Sequence, residues 1–336
     1  MIDRTFIATV ALTLAACGAQ PEAKAQDSGE AFGEVFGISR ACDPGNDCPP
    51  LTEAELKEAQ TQIREKMVAV AERLESVPYL DCYGIAEQGG LVICQTNANA
   101  EVEVGRSETD TYTQTADDKG ILIVGFDRDE PAAFVRLAAH PDARVDFDIT
   151  PRDYDTSRID GLPKNMVSEY TEEELTRIRA ATARKKVGFA SKAETIGFSD
   201  GFIYPVADHI KTTNFGAQRI LNGEPKRPHF GVDLAAPKGT PILAPADGIV
   251  SLADEDMYFE GSLIMIDHGQ GLISYYLHNE DVLVEAGQQV KQGEQIGTVG
   301  SRGRSTGPHL CWRLKWRGRN LDPELLTRWK DEAKAL

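Results

Sequence analysis

A chain of 336 residues has room for two or three domains, and 41% hydrophobic residues can fill a substantial core. Its formal net charge of −17 speaks against a nucleic-acid partner, because phosphate binding needs a basic face. An acidic balance of this kind otherwise suits a soluble, exported chain.

The first element is "MIDRTFIATVALTLAAC", with one early Arg4, an apolar run from Phe6 to Ala16, and then Cys17. The run is too short to cross a bilayer as a helix and reads as the core of a signal peptide over residues 1–16. Leu14-Ala15-Ala16-Cys17 resembles the bacterial lipobox, which implies lipidation at Cys17. Several acyl chains on one cysteine give a stable membrane anchor where one chain is marginal. Gly18 stands where inner-membrane retention would want Asp, so the periplasmic face of the outer membrane is the expected location. Residues 17–50, rich in Ala, Gly, Gln, Glu and Pro, read as a flexible tether.

Export places the cysteines in an oxidising compartment. Cys42 and Cys48 bracket the turn-rich "DPGND", and Cys82 and Cys94 flank two strand pieces around Gly89-Gly90. Local pairing within each couple is expected, with a crossed bridge or none as the alternatives. Cys311 is then left over.

Thr52-Glu53-Ala54-Glu55 is a capping box, and helical spacing of apolar residues predicts a helix within 51–77. From 78 to 160 the period changes to two: "LVICQT", "ILIVGF", "AAFVRLA" and "RVDFDI" are strands between turns such as Asp118-Lys119-Gly120. This is a small β-domain, Ig-like or sandwich-like, with no catalytic spacing, so its expected role is positional or inhibitory. A second capping box, Thr171 to Glu174, opens a charged helix through about Lys186 within a connector over 161–196. Residues 197–336 are β-rich and punctuated by Gly and Pro until "PELLTRWKDEAKAL", which reads as a terminal helix. The fold class is therefore mainly β.

Five of the six histidines lie in this last segment, with His229, His268, His278 and His309 following His209. His229 and Asp233 stand four apart in "RPHFGVD", His278 ends "YYLH", and His309 and Cys311 stand two apart in "GPHLC". On a strand, positions i and i+2 share a face. Zinc favours imidazole, thiolate and carboxylate, and a catalytic site keeps three such ligands plus water. These positions offer metal-binding groups from different strands, with imidazoles to spare for proton work. His268, between Asp267 and Gly269 at a strand end, is expected to fix a turn, while His209 and His140 have no ligand-like spacing.

Together "HFGVD", "YYLH" and "TGPHLC" resemble the three motifs of lysostaphin-type zinc metallopeptidases, the LytM domain, which cut peptide bridges of peptidoglycan. The resemblance covers about residues 200–325 and includes "GVDLAAPKGTPILAPADGIV" and "VKQGEQIGTVGSRGRSTGPH". It implies a β-sandwich catalytic domain (the duplicated hybrid motif) over 197–336 and a prodomain-like role for the module before it. His229, Asp233 and Cys311 would hold Zn2+, and His278 and His309 would be the catalytic, non-ligand histidines. The implied partners are peptidoglycan peptide stems or bridges, with room for a regulatory protein. Ser305 and Thr306 stand before His309, where substrate would pass.

The departure is Cys311, which stands where the family has its third ligand histidine. A thiolate is a good zinc ligand, with a bond about 0.2 to 0.3 Å longer than Zn–N. Two anionic ligands would make the site formally neutral, and a less positive metal is a weaker Lewis acid. The expectation is firm zinc binding with slower chemistry at neutral pH. The competing reading is a degenerate module that binds murein or regulates a partner amidase. A third, a lipoyl- or biotinyl-type hairpin in "VEAGQQVKQGEQIGTVG", leaves the His and Asp positions unexplained.

Overall fold

The structure is a computed structural model that describes residues 77–161 and 170–329, with scattered helical residues between Ala54 and Lys66. The signal segment, Cys17, the tether with Cys42 and Cys48, and most of the first helix lie outside the described residues, as does the chain beyond Trp329. Of the expected terminal helix, the described part is a 3-10 turn, Leu325–Arg328. No helix among the described residues is long and apolar enough to cross a membrane.

The period-two stretch folds as two antiparallel sheets. In the first, β2 (Leu91–Thr96) lies between β1 (Leu80–Gly84) and β5 (Ile121–Gly125). Cys82 faces Cys94 across the β1–β2 pair and is bonded to it. The second sheet orders β4 (Asp110–Thr115), β3 (Glu101–Ser107), β6 (Ala132–Leu137) and β7 (Arg144–Asp148). Next, β8 (Thr156–Ile159) pairs in parallel with β10 (Gln218–Leu221), which turns back through β11 (Glu224–Pro225).

Between them runs helix α1 (Glu172–Phe189). The Thr171 hydroxyl accepts from the Glu174 backbone N–H, and the Glu174 carboxylate accepts from the Thr171 N–H. This reciprocal pair satisfies two of the donors that a helix start leaves open.

The remaining chain builds an eight-stranded sheet and a small one. The large sheet orders β18 (Gln289–Val290), β14 (Gly248–Met257), β15 (Gly261–Asp267), β16 (Leu272–Leu277), β20 (His309–Trp316), β12 (Val232–Ala235) and β9 (Ile210–Thr213). A further strand, β21 (Arg319–Leu321), pairs with β20. The small sheet orders β13 (Pro241–Leu243), β19 (Gln295–Val299) and β17 (Asn279–Val282).

Alternation along β20 divides the large sheet into two faces. Leu310, Trp312, Leu314 and Trp316 point one way and are fully buried with Val232, Leu234, Ile264 and Tyr276. That core is continuous with Leu91, Val92, Ile123 and Val124 of the first sheet. His309, Cys311, Arg313 and Lys315 take the opposite face by the same alternation. There Cys311 joins a second cluster with Leu263, Met265, Tyr275 and Leu277, closed over by Ala181 and Phe189 of α1. Gly188 allows the close seat of α1, since a Cβ there would come 2.8 Å from the Met265 sulfur. The ion pairs Arg184–Asp254 and Lys185–Glu260 tie the helix to β14 and to the turn before β15.

Candidate metal centre

Neighbouring strands deliver the first donors. In the antiparallel β12–β20 pair, Asp233 stands directly opposite Cys311, so their side chains leave the same face. His229 comes from the segment just before β12, clamped to the start of β10. Its N–H donates to the Ala217 carbonyl at 2.8 Å, and its own carbonyl accepts from the Gly216 N–H at 2.7 Å.

These three side chains converge. His229 Nε2 lies 3.2 Å from Cys311 Sγ and 3.1 Å from Asp233 Oδ1, and one ligand atom from each residue falls within 4.8 Å of the others. A single imidazole N–H cannot serve both neighbours. Asp233 Oδ1, which faces His229 Nε2, is buried without a well-directed hydrogen bond. Buried lone pairs facing one another are unfavourable unless a proton or cation lies between them. Imidazole, carboxylate and thiol are also the donor types zinc accepts, so the residues present fit that ion.

Electrostatics sharpen the site. Burial pushes the His229 imidazole below its usual range, and it pushes the Cys311 thiol up to about 12. Burial alone would raise the Asp233 carboxyl, but the facing His229 and His309 imidazoles outweigh it and hold it well below the carboxylate range. Asp233 is thus ionised at neutral pH, and Cys311 must give up its proton when it binds a metal.

The two further histidines stand beside this trio, with ring centroids 4.9 Å apart. His278 Nδ1 lies 2.8 Å from the Arg302 carbonyl and His309 Nδ1 lies 2.8 Å from the Gly307 carbonyl. A carbonyl only accepts, so each Nδ1 carries the hydrogen and each Nε2 keeps its lone pair. His309 Nε2 is 3.8 Å from Asp233 Oδ1. Burial depresses His278 to about 4, leaving it neutral at pH 7 and able to accept a proton. The loop that supplies both carbonyls packs on Gly261 (φ +70°), where a Cβ would stand 2.3 Å from the Arg302 carbonyl carbon. Ser305 Oγ, 3.3 Å from His309 Nδ1 and donating to the Gly307 carbonyl at 2.8 Å, steadies the same loop.

Every candidate site residue of the last segment is therefore in one place, and the other histidines are elsewhere. His268 is fully buried, with Nδ1 2.7 Å from the Asp247 carbonyl and Nε2 2.7 Å from Ser274 Oγ, so it fixes the entry to β14. His209 packs against Tyr204 and His140 is exposed.

Two residues were not foreseen from the sequence. Arg313 places Nε 3.3 Å from Cys311 Sγ. Arg219, on β10, lies near enough to His229, Asp233, Cys311 and Arg313 to act on each electrostatically. Among the described residues its guanidinium makes no hydrogen bond or ion pair, and burial with the nearby Arg313 cation holds it below the arginine range. The only sequence signal for Arg313 was its i+2 spacing from Cys311.

The profile of Peptidase family M23 matches residues 227–323. A peptidoglycan DD-endopeptidase of Vibrio cholerae, ShyA, is 41% identical over 118 residues, which is 34% of this chain and 27% of that protein. The DD-carboxypeptidase/endopeptidase Mpg of Neisseria meningitidis is 41% identical over 97 residues, 29% of this chain and 22% of that one. These matches span about a quarter of the length of either relative. A crystal structure assigned to peptidase M23 from Pseudomonas aeruginosa superposes with a TM-score of 0.50 at 25% identity, covering 72% of this chain and 95% of that one. The chain thus carries, in its last third, a LytM-type domain of Peptidase family M23.

Proposed function

We propose that the protein is a zinc-dependent endopeptidase that hydrolyses peptide cross-links or bridges of peptidoglycan in the cell envelope, held at the outer membrane by lipid on Cys17. The observation that carries this reading is the convergence of His229, Asp233 and Cys311 beside two imidazoles with free Nε2 atoms. The names of the relatives supply the substrate class.

A bound Zn2+ would supply Lewis acidity to the carbonyl of the scissile amide and to a water molecule. The chain's own residues do the rest. His229, Asp233 and Cys311 would hold the ion. His278, neutral and fixed through Nδ1, accepts a proton at Nε2 and can return it to the leaving amine. His309, fixed in the same tautomer, presents its Nε2 3.8 Å from Asp233 Oδ1 and stabilises the developing oxyanion once it carries a proton.

Digestion of purified sacculi, with zinc measured on the same sample, tests the reading. Released peptides and about one zinc per chain are expected, with both lost in His229→Ala and Cys311→Ser. Sacculus binding with no zinc and no released peptides would favour the non-catalytic alternative, a module that binds murein or regulates a partner amidase.

A further inference from the structure

Arg313 follows Cys311 by two residues on β20, so both side chains leave the same sheet face. Its Nε donates to Cys311 Sγ at 3.3 Å, its guanidinium stands 6.0 Å from the centre of the Tyr275 ring, and no carboxylate among the described residues pairs with it. The backbone makes room for this placement, since a Cβ on Gly231 would come 2.5 Å from Arg313 Cγ. A half-buried guanidinium with no carboxylate partner is best satisfied by an anion. The nearest group able to become one is the sulfur it already touches, and sulfur is anionic when it binds a metal.

Resting on the zinc reading above, we propose that Arg313 is a positioning residue for the metal, fixing the direction of the Cys311 sulfur and offsetting the charge that sulfur carries as a ligand. Asp233 and Cys311 together bring two negative charges to the ion, one more than a set with imidazole at 311. An N–H directed at the sulfur draws electron density back from it, so the ligand donates less and the metal stays the stronger Lewis acid. Lysine would carry the charge without the fixed geometry of the guanidinium fork. The thiolate and its arginine form one unit, and a single substitution separates them.

Cobalt reports on this pair directly, because a sulfur–cobalt bond gives a charge-transfer band that imidazole and carboxylate do not. The metal-free full chain is titrated with Co2+, following the band and the affinity. In Arg313→Met the band is expected to move to longer wavelength and the dissociation constant to rise about 10- to 100-fold, the usual effect of losing a partner behind a ligand. Arg313→Lys should fall between the two. In a Cys311→His background the sign changes: a neutral imidazole gains nothing from a nearby cation, so adding Arg313→Met should leave affinity unchanged or tighten it.

Two results overturn the proposal: a band and affinity unchanged by Arg313→Met, or an equal loss of affinity in the Cys311→His background, which marks mere packing. A wild-type chain that takes up cobalt without any sulfur band would instead overturn the assignment of Cys311 as a ligand, and this inference with it.

Discussion

His278 occupies the left-handed region at φ +68°, between β16 and β17, where a non-glycine residue is strained by about 1–3 kcal/mol. Its N–H donates to the Glu260 carbonyl and its imidazole to the Arg302 carbonyl, so the kink is held from both sides and turns the ring toward His309. His278→Ala is expected to lower peptide release about a hundred- to ten-thousand-fold. Its zinc content, measured by metal analysis, should be unchanged. His268 yields a pH prediction of a different kind. Burial depresses it to about 4, so between the unfolded value of 6.5 and 4 the unfolded chain binds the extra proton. The stabilisation from keeping it neutral is complete above pH 6.5 and is lost as pH falls through that window, on the order of 3 kcal/mol in all. His268→Asn should flatten the fall in thermal midpoint between pH 7 and 4.5, and an unchanged slope would clear His268 of that role. The ligand-type side chains were legible in the sequence because zinc chemistry admits few residue types and the strand period puts His309 and Cys311 on one face. Arg313 was not, because an arginine on a strand ordinarily reads as a solvated position, and its half-buried placement depends on Gly231, just before β12.

Among the elements, β20 and α1 do most to place the site. Four indole and leucine side chains on one face of β20 fix the strand in the core, which leaves the other face no freedom of register. Slipping by one residue would bury His309 and Cys311 in that core and turn the indoles outward. The capping box of α1 was plain in the sequence, and the structure has it at Thr171 and Glu174. The seat of α1 was hidden, because Ala181, Gly188 and Phe189 make a thin apolar stripe in a charged helix. Ion pairs to Asp254 and Glu260 and the gap at Gly188 complete the contact. Thr171→Ala should destabilise the protein by about 0.5–2 kcal/mol, read as a lower midpoint in urea with an unchanged slope. No shift in midpoint would mean the helix start adds nothing to the fold.

From Pro78 onward the chain forms one compact unit, and charged pairs reinforce the core that runs through it. Glu130, nearly fully buried, accepts from Arg319 and Arg106 at 3.1 Å each and from the Asp127 N–H at 2.8 Å. Arg152 pairs with the buried Asp322 at 2.9 Å. Strands β2, β5, β6 and β7 were readable one by one, while β3, β4 and β8 were not. Their partners were not, since pairing across some 190 residues, as between Glu130 and Arg319, leaves no local pattern. Glu130→Ala strands the Arg319 cation and should cost about 3–5 kcal/mol. Calorimetry should show one transition for the strands before α1 and those after it together, where two separate transitions would contradict a shared core. In the proposed function this unit presents zinc with one thiolate. X-ray absorption at the zinc edge of the purified, zinc-loaded protein reads it most directly. One sulfur at about 2.3 Å with nitrogen and oxygen near 2.0–2.2 Å is expected, and a shell of nitrogen and oxygen alone would rule out Cys311 as a ligand.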